Sequence, residues 1–349
     1  MPLATDALLD VLRTIGEETR LRIVVLLQHG ELTVTDLTEI LGQSQPRISR
    51  HLKLLTDAGV VDKHREGTWA FFDLVDHGPI ADVVAGVLAL ADPHDPVVAA
   101  DLDRLQVVRG RRAATAQEYF AQIAPIWDQE RSLHAPDELV EAALLEALGD
   151  EPHPTVLDLG TGTGRMLQLL DGHGDGFERA VGLDNSHSML AVARANLERA
   201  EVHGVDLRQG DVYSPPLDRD SFDLVVVHQV LHYLDDPVRA VREAARLVAP
   251  GGRLVVVDLA PHGLEFLRTD HAHRRLGFRT ETVGAWMSRS GLELERTRTI
   301  AAAGPHEPGS GLNVSLWVGR DRRTAPTTPD TGVDAHADRT DGHDGTATP

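Results

Sequence analysis

The 349-residue chain has no cysteine, which excludes a disulfide scaffold, thiolate metal sites, zinc fingers, iron–sulfur clusters and a catalytic thiol. Aromatic residues are few, and lysine occurs only twice, at Lys53 and Lys63. No stretch approaches 18 uninterrupted apolar residues, and the opening MPLATDALLDVLRTIGEETR lacks a basic segment followed by an apolar one. Neither a secretion signal nor a membrane span is expected, and the reading is a cytoplasmic protein without a membrane partner. Positive charge is scarce too. The formal net charge of -20 argues against a nucleic-acid partner unless the charges are unevenly placed. They are: residues 1–75 carry -3, and within them Gln43 to Glu66 carries +2 and holds both lysines.

What remains is ordinary globular composition, with 42% hydrophobic and 25% charged residues, enough to bury real cores. At roughly 150 residues per domain the length predicts two domains plus tails. Apolar residues recur at helical spacing through Leu8–Leu12, Leu21–Leu27, Leu37–Leu41 and Ile48–Leu55. KHREGTWAFFDL then reads as a hairpin. A helix over Ile80–Ala91 ends at the boundary DPHDP, and residues 98–148 read as helical. From Thr155 the runs TVLDL, AVGLD, VDLRQ, FDLVVV and RLVVVDL alternate with helical segments, which predicts a parallel α/β sheet. LELERTRTI and LNVSLWVG predict an antiparallel edge hairpin. The expected division is 1–92, 93–150, 151–320 and a disordered tail over 321–349, rich in Thr, Asp, Gly and Pro.

The amino-terminal order of helix, turn, helix and hairpin describes a winged helix-turn-helix, mainly α with a β-hairpin wing. In QSQPRISRHLKLLTDAG, Ser44 is placed to cap a helix and Pro46 falls in its first turn. Ile48, Leu52 and Leu55 form the buried stripe, leaving Arg50 and Lys53 outward with Arg47 and Ser49 on the flanks. Arg can grip guanine bidentately, and Ser44, Gln45 and Ser49 can bond bases or phosphates. His51 is counted with this DNA face, and Lys63 and Arg65 of the wing add phosphate contacts. The alternative is a solvated helical dimerisation domain that touches no DNA. EETRLRIVVLL, ELTVTDLTEILG, QSQPRISRHLKLLTDAGVV and REGTWAFFDL resemble the ArsR family of winged-helix repressors. The resemblance implies a homodimer on an inverted repeat in a double-stranded DNA operator. Where arsenic-sensing members carry two cysteines this chain has Thr33 and Thr35, poor ligands for soft metals, so arsenite sensing at that site is excluded.

In the second module, TVLDL runs into GTGTGR and a helix. A glycine turn there lets backbone N–H groups approach a ligand without a Cβ in the way. A dinucleotide fingerprint needs a glycine where Arg165 stands, which disfavours NAD. Asp158, Asp184 and Asp211 sit at the ends of neighbouring strands, and Asp184 is placed to bind two ribose hydroxyls. DLGTGTGR, LDNSHSML, QGDVYSPP, SFDLVVVHQVLHYLDDP and LVAPGGRLVVVDL resemble, in order, the class I S-adenosylmethionine-dependent methyltransferases. The resemblance implies a Rossmann-like domain with a seven-stranded, mostly parallel sheet. It implies that Gly160 to Gly164, including Thr161 and Gly162, hold the methionine part of the cofactor, Asp184 the ribose, and Asp211 with Val212 the adenine edge. Asp158, Asn185 and Met189 belong to the same site, His228 lies beneath the methyl group, and Tyr119 to Asp128 resembles a covering helix.

The catalytic candidates are His228, His232 and His262, any of which could remove a proton from an acceptor. The other reading of these histidines is pocket structure. A metal site at His271 and His273 is disfavoured because alternate helical residues diverge, and no metal is expected. Two functions stay open. The chain is a DNA-binding regulator whose second domain methylates a small molecule, or that domain only senses S-adenosylmethionine or S-adenosylhomocysteine to control operator binding.

Overall fold

The computed structural model describes residues 3–66, 68–92, 94–124, 136–302 and 312–323. The end of the expected covering helix, residues 125–128, and the tail from 324 onward lie outside them. Among the described residues no helix is long and apolar enough to cross a membrane.

The amino-terminal part runs α1 (Thr5–Ile15), α2 (Glu18–Leu27), β1 (Leu32–Thr33), α3 (Val34–Leu41), α4 (Gln45–Asp57), β2 (Val61–Glu66), β3 (Trp69–Leu74) and α5 (Gly78–Ala89). β2 and β3 form the wing, and β1 pairs antiparallel with β3. This is the expected winged helix-turn-helix. Thr33 starts α3 through a capping box: its hydroxyl accepts from the Asp36 amide at 3.2 Å, and Asp36 accepts from the Thr33 amide at 2.9 Å. The helix stops at Gly42, whose φ of 63° is left-handed, and the chain turns into α4. Ser44 occupies the cap position of α4 without a side-chain cap bond, and Pro46 sits in the first turn. Ile48, Leu52 and Leu55 are buried as the spacing predicts, each contributing about 1.5–3 kcal/mol.

Helix α6 (Pro96–Ile123) has 28 residues and is about 42 Å long. Asp95 caps it by accepting from the Val97 and Val98 amides. Its first half belongs to the amino-terminal core, where Leu105 and Val108 are buried. Asp101, itself buried, holds Arg22 and Arg104, each at 2.6 Å. Its second half reaches the other domain.

That domain contains α7 (Asp137–Leu148), β4 (Thr155–Leu159), α8 (Arg165–Asp171), β5 (Arg179–Asp184), α9 (His187–Arg199), β6 (Val205–Gln209) and β7 (Phe222–His228). α10 (Pro237–Leu247), β8 (Val248–Leu259), α11 (Phe266–Asp270), α12 (Thr280–Arg289), β9 (Leu292–Ile300) and β10 (Val314–Asp321) follow. The seven strands lie in the order β6-β5-β4-β7-β8-β10-β9, with only β10 antiparallel to its neighbours. Alternation along the strands gives two cores. Val156, Val226, Val255 and Leu316 face α7, α8 and the end of α9, while Leu157, Val225, Val256 and Trp317 face α10 and α12. The domain is a doubly wound Rossmann-like sheet. Because chain order reverses on the two sides of β4, a crevice opens at the carboxyl ends of β4, β5 and β7.

Candidate functional site

The crevice is part of a cavity of about 660 Å³, within the range that buries a small-molecule ligand. Its inner wall is the turn after β4. Gly160 has φ of 84°, and a Cβ there would lie 2.4 Å from Val230 Cγ2, so only glycine fits. The Gly160 and Thr161 amides donate to the Leu183 carbonyl at 2.7 and 3.0 Å, tying the turn to β5. Gly162 has φ of 53° and open space where its Cβ would be. Arg165 forks onto Glu141 of α7 at 2.7 and 2.6 Å, fixing the start of α8.

Asp184 ends β5 on the cavity wall. Its two oxygens accept from the Gly162 amide at 2.9 Å and the Ser186 amide at 2.8 Å. Burial raises its pKa, and those backbone bonds oppose the rise. Each oxygen keeps a further lone pair for a donor in the cavity. Asp158 is 1% exposed. One of its oxygens accepts from the Thr161 hydroxyl at 2.7 Å and the other has no hydrogen-bond partner among the described residues. Burial pushes its pKa up to about 7.

The wall also contains Asn185, Met189, Asp211, Val212 and His228, so every residue assigned to the cofactor lines one cavity except Gly164. Gly164 stands one step back as the cap of α8, against Ala193. Of the histidine candidates only His228 is on the wall. His232 is fully buried, its Nδ1 2.8 Å from Asp258, while Asp258 also accepts from the Leu231 amide. Its carbonyl accepts from the Arg274 and Arg275 amides, which makes it a residue that positions that segment. His262 lies off the wall, its amide donating to the Leu276 carbonyl.

Sequence reasoning missed the outer wall. α6 supplies Gln106, Arg109, Arg112 and Phe120, and the wing supplies Trp69. Trp69 lies 4.4 Å from the Arg268 guanidinium and 5.2 Å from that of Arg274. The Thr68 amide donates to Glu265 at 2.6 Å. Behind it Arg275 meets Glu31 at 2.5 Å, with side chains 3% and 13% exposed, and stacks on Phe71 at 4.0 Å. Arg112 bonds both Asp36, of the capping box, and Asp235 of the cavity wall. Thus the wing and the first helix of the helix-turn-helix are both fastened to the cavity.

In the amino-terminal domain Ser44, at the cap of α4, and Gln45, Arg47, Ser49, Arg50 and Lys53 along it are exposed, as are Lys63 and Arg65 on β2. His51 corrects the expected DNA face. It is 9% exposed, points inward with Nδ1 3.4 Å from Glu17, and its pKa is lowered by burial. At 100° per residue it lies about 60° from Ile48 and about 40° beyond Leu55, at the margin of the buried stripe, where packing against Glu17 and not periodicity decides its burial.

Two family models match the chain: "Bacterial regulatory protein, arsR family" over residues 17–63 and "Methyltransferase domain" over residues 157–256. An arsenical resistance operon repressor from Escherichia coli is 44% identical over 72 residues, covering 20% of this chain and 62% of the repressor. An uncharacterized HTH-type transcriptional regulator from Methanocaldococcus jannaschii is 37% identical over 84 residues, 24% of this chain and 89% of that protein. A demethylmenaquinone methyltransferase from Thermus thermophilus is 35% identical over 146 residues, 41% of this chain and 64% of that enzyme. The chain spans between about a third and three fifths of the length of the first curated relatives it matches.

Proposed function

Because the chain belongs to the arsR family of bacterial regulatory proteins and carries a methyltransferase domain behind its helix-turn-helix, we propose a DNA-binding regulator that binds S-adenosylmethionine and methylates a small molecule. The observation that carries this reading is Asp184, pinned by the Gly162 and Ser186 amides beside a turn that only glycine can make. Two aimed carboxylate oxygens suit the two hydroxyls of a ribose, and their charge repels a 2'-phosphate. The unpartnered oxygen of Asp158 suits an ammonium group, and the open space at Gly162 leaves backbone near a carboxylate. Asp211 and Val212 line the part left for adenine.

When bound by the glycine turn, Asp158, Asp184, Asp211 and Val212, S-adenosylmethionine would supply a methyl group activated by its sulfonium, with S-adenosylhomocysteine as the leaving group. The chain's part is to align the acceptor, exclude water and receive the proton the acceptor loses. His228 and His273 are the imidazoles on the wall that serve this last role. The amino-terminal domain, as a homodimer, reads a DNA operator with α4 in the major groove and β2 along the backbone.

A second reading is favoured by one observation: Trp69, a wing residue, forms part of the same cavity wall. In this reading the cavity is a receptor whose occupation changes operator affinity without turnover. Calorimetry with S-adenosylhomocysteine tests the shared premise. Asp184→Ala should lose about 2–4 kcal/mol of affinity, roughly 30- to 1000-fold, for two charge-assisted bonds; undiminished affinity removes the ribose assignment. Labelled S-adenosylmethionine incubated with cell extract separates the readings. Transfer to any small molecule supports the enzyme, and binding without transfer supports the receptor.

A further inference from the structure

The cavity does not end at the cofactor crevice, and its outer half has a different chemistry. Here Arg274 is the most telling residue. It is held from behind by its backbone, which donates to the His232 carbonyl at 2.8 Å, and from one side by Asp235, which accepts from its Nε at 2.8 Å. A guanidinium carries five N–H donors in a fixed plane. Nε uses one; the four on the terminal nitrogens meet no acceptor among the described residues, although the side chain is only 16% exposed and lines the cavity.

The surrounding charges leave that capacity unanswered. Asp235 is shared, since Arg112 also donates to it at 3.1 Å. Arg275, the next residue, is taken up by Glu31. Burial and the neighbouring Arg275 lower the pKa of Arg274, and burial and Arg274 lower that of Arg112. An anion entering here relieves both the desolvation and the repulsion between guanidiniums. Beside Arg274 the wall is a slot of rings: Tyr233 lies 4.8 Å from Phe120 at 77° and 5.1 Å from His273 at 72°, edge to face in both cases. Two edge-on rings flanking a third make a surface that favours another flat ring over a flexible chain.

We propose that this outer half is the acceptor subsite and that it takes an aromatic carboxylic acid. The carboxylate sits on the terminal N–H groups of Arg274, in the two-pronged geometry that planar fork favours. The ring lies against Phe120, Tyr233 and His273, between the anion and the glycine turn. The proposal rests on reading the inner half as the cofactor crevice. It also places the acceptor against Trp69, so the acid, like the nucleoside, touches the wing.

Calorimetry on the full chain saturated with S-adenosylhomocysteine tests it with three matched pairs: benzoate and benzamide, 4-hydroxybenzoate and 4-hydroxybenzamide, indole-3-carboxylate and its amide. The amide keeps the shape and removes the charge. At least one acid is expected to saturate and to bind at least tenfold tighter than its amide. Arg274→Gln should bring that ratio close to one while S-adenosylhomocysteine still binds, which shows the variant is folded. Arg274→Lys, which keeps the charge without the fork, should fall between. Equal binding of acid and amide in every pair, no saturation by any acid, or an undiminished preference in Arg274→Gln overturns the proposal. If the nucleoside itself gives no heat, the cofactor reading fails separately, and the same acid–amide comparison without nucleoside still decides the subsite.

Discussion

Trp69→Ala is the perturbation that most directly asks whether the cavity and the DNA-binding domain communicate. The indole is part of the cavity wall and lies against two guanidiniums, 4.4 Å from Arg268 and 5.2 Å from Arg274. At about 1 kcal/mol for each partly buried cation–π contact, the docked wing loses about 2 kcal/mol relative to a released one, a factor of about 30. The Thr68–Glu265 bond and the Glu31–Arg275 pair are untouched, so the two domains stay together. Coupling between two sites is typically about 1–3 kcal/mol, or roughly 5- to 150-fold in affinity. Losing about 2 kcal/mol therefore removes most of it. The assay is fluorescence anisotropy with a duplex that the unaltered chain selects from random-sequence DNA, at one fixed salt concentration, with and without S-adenosylhomocysteine. The unaltered chain should show two clearly different affinities, and Trp69→Ala should shrink their ratio to at most about fivefold, what is left of a coupling of about 3 kcal/mol after about 2 kcal/mol is removed. Trp69→Phe, which keeps an aromatic face, should keep part of the difference. The reasoning is refuted if Trp69→Ala preserves the full ratio, or if the nucleoside binds the unaltered chain and leaves DNA affinity unmoved.

Three further outcomes are expected. Gly160→Ala adds a left-handed alanine and a Cβ only 2.4 Å from Val230 Cγ2, together costing about 2–5 kcal/mol; denaturant melts should show this, with Val230→Ala restoring only the packing share, and an unchanged midpoint would contradict the turn geometry. Asp158, held neutral up to about pH 7 by burial, must ionise to pair with an ammonium, so S-adenosylhomocysteine should bind about tenfold tighter at pH 8 than at pH 6, and Asp158→Asn should flatten the profile. The same raised pKa means the folded, unliganded chain keeps a proton that the unfolded chain has lost. Stability drawn from this site therefore falls as pH rises from about 4 to 7 and is level above that. Arg50→Ala with Lys53→Ala should weaken DNA binding and reduce the salt slope by up to about 1.8, about 0.9 for each phosphate contact removed. An unaltered slope takes α4 off the DNA backbone.

Local pattern carried much of the architecture. The stripe of Ile48, Leu52 and Leu55 and the Gly-Thr turn of the wing are written in neighbouring residues, and their helices and strands form where that pattern places them. The runs from TVLDL to RLVVVDL appear as β4 to β8, because residues alternating between two buried faces leave a strand little choice of register. The outward residues of α4 were legible for the same reason. His51 lies at the margin of that stripe, and its burial depends on Glu17, a partner outside α4 that no pattern within the helix records.

The amino-acid order by itself thus determined the two modules, the glycine turn, Asp184 at the end of its strand, and the sidedness of α4, since each depends on residues within about one helical or strand repeat. Only the tertiary structure decided what closes the cavity. Trp69, Arg112 and Arg274 are far apart along the chain, and they meet because α6 spans both domains and the wing folds back onto the segment before α12. Tertiary packing also took His232 and His262 off the wall and left His228 on it. Which side chains face a common space depends on how finished elements pack against one another, and no periodicity within a single element records that.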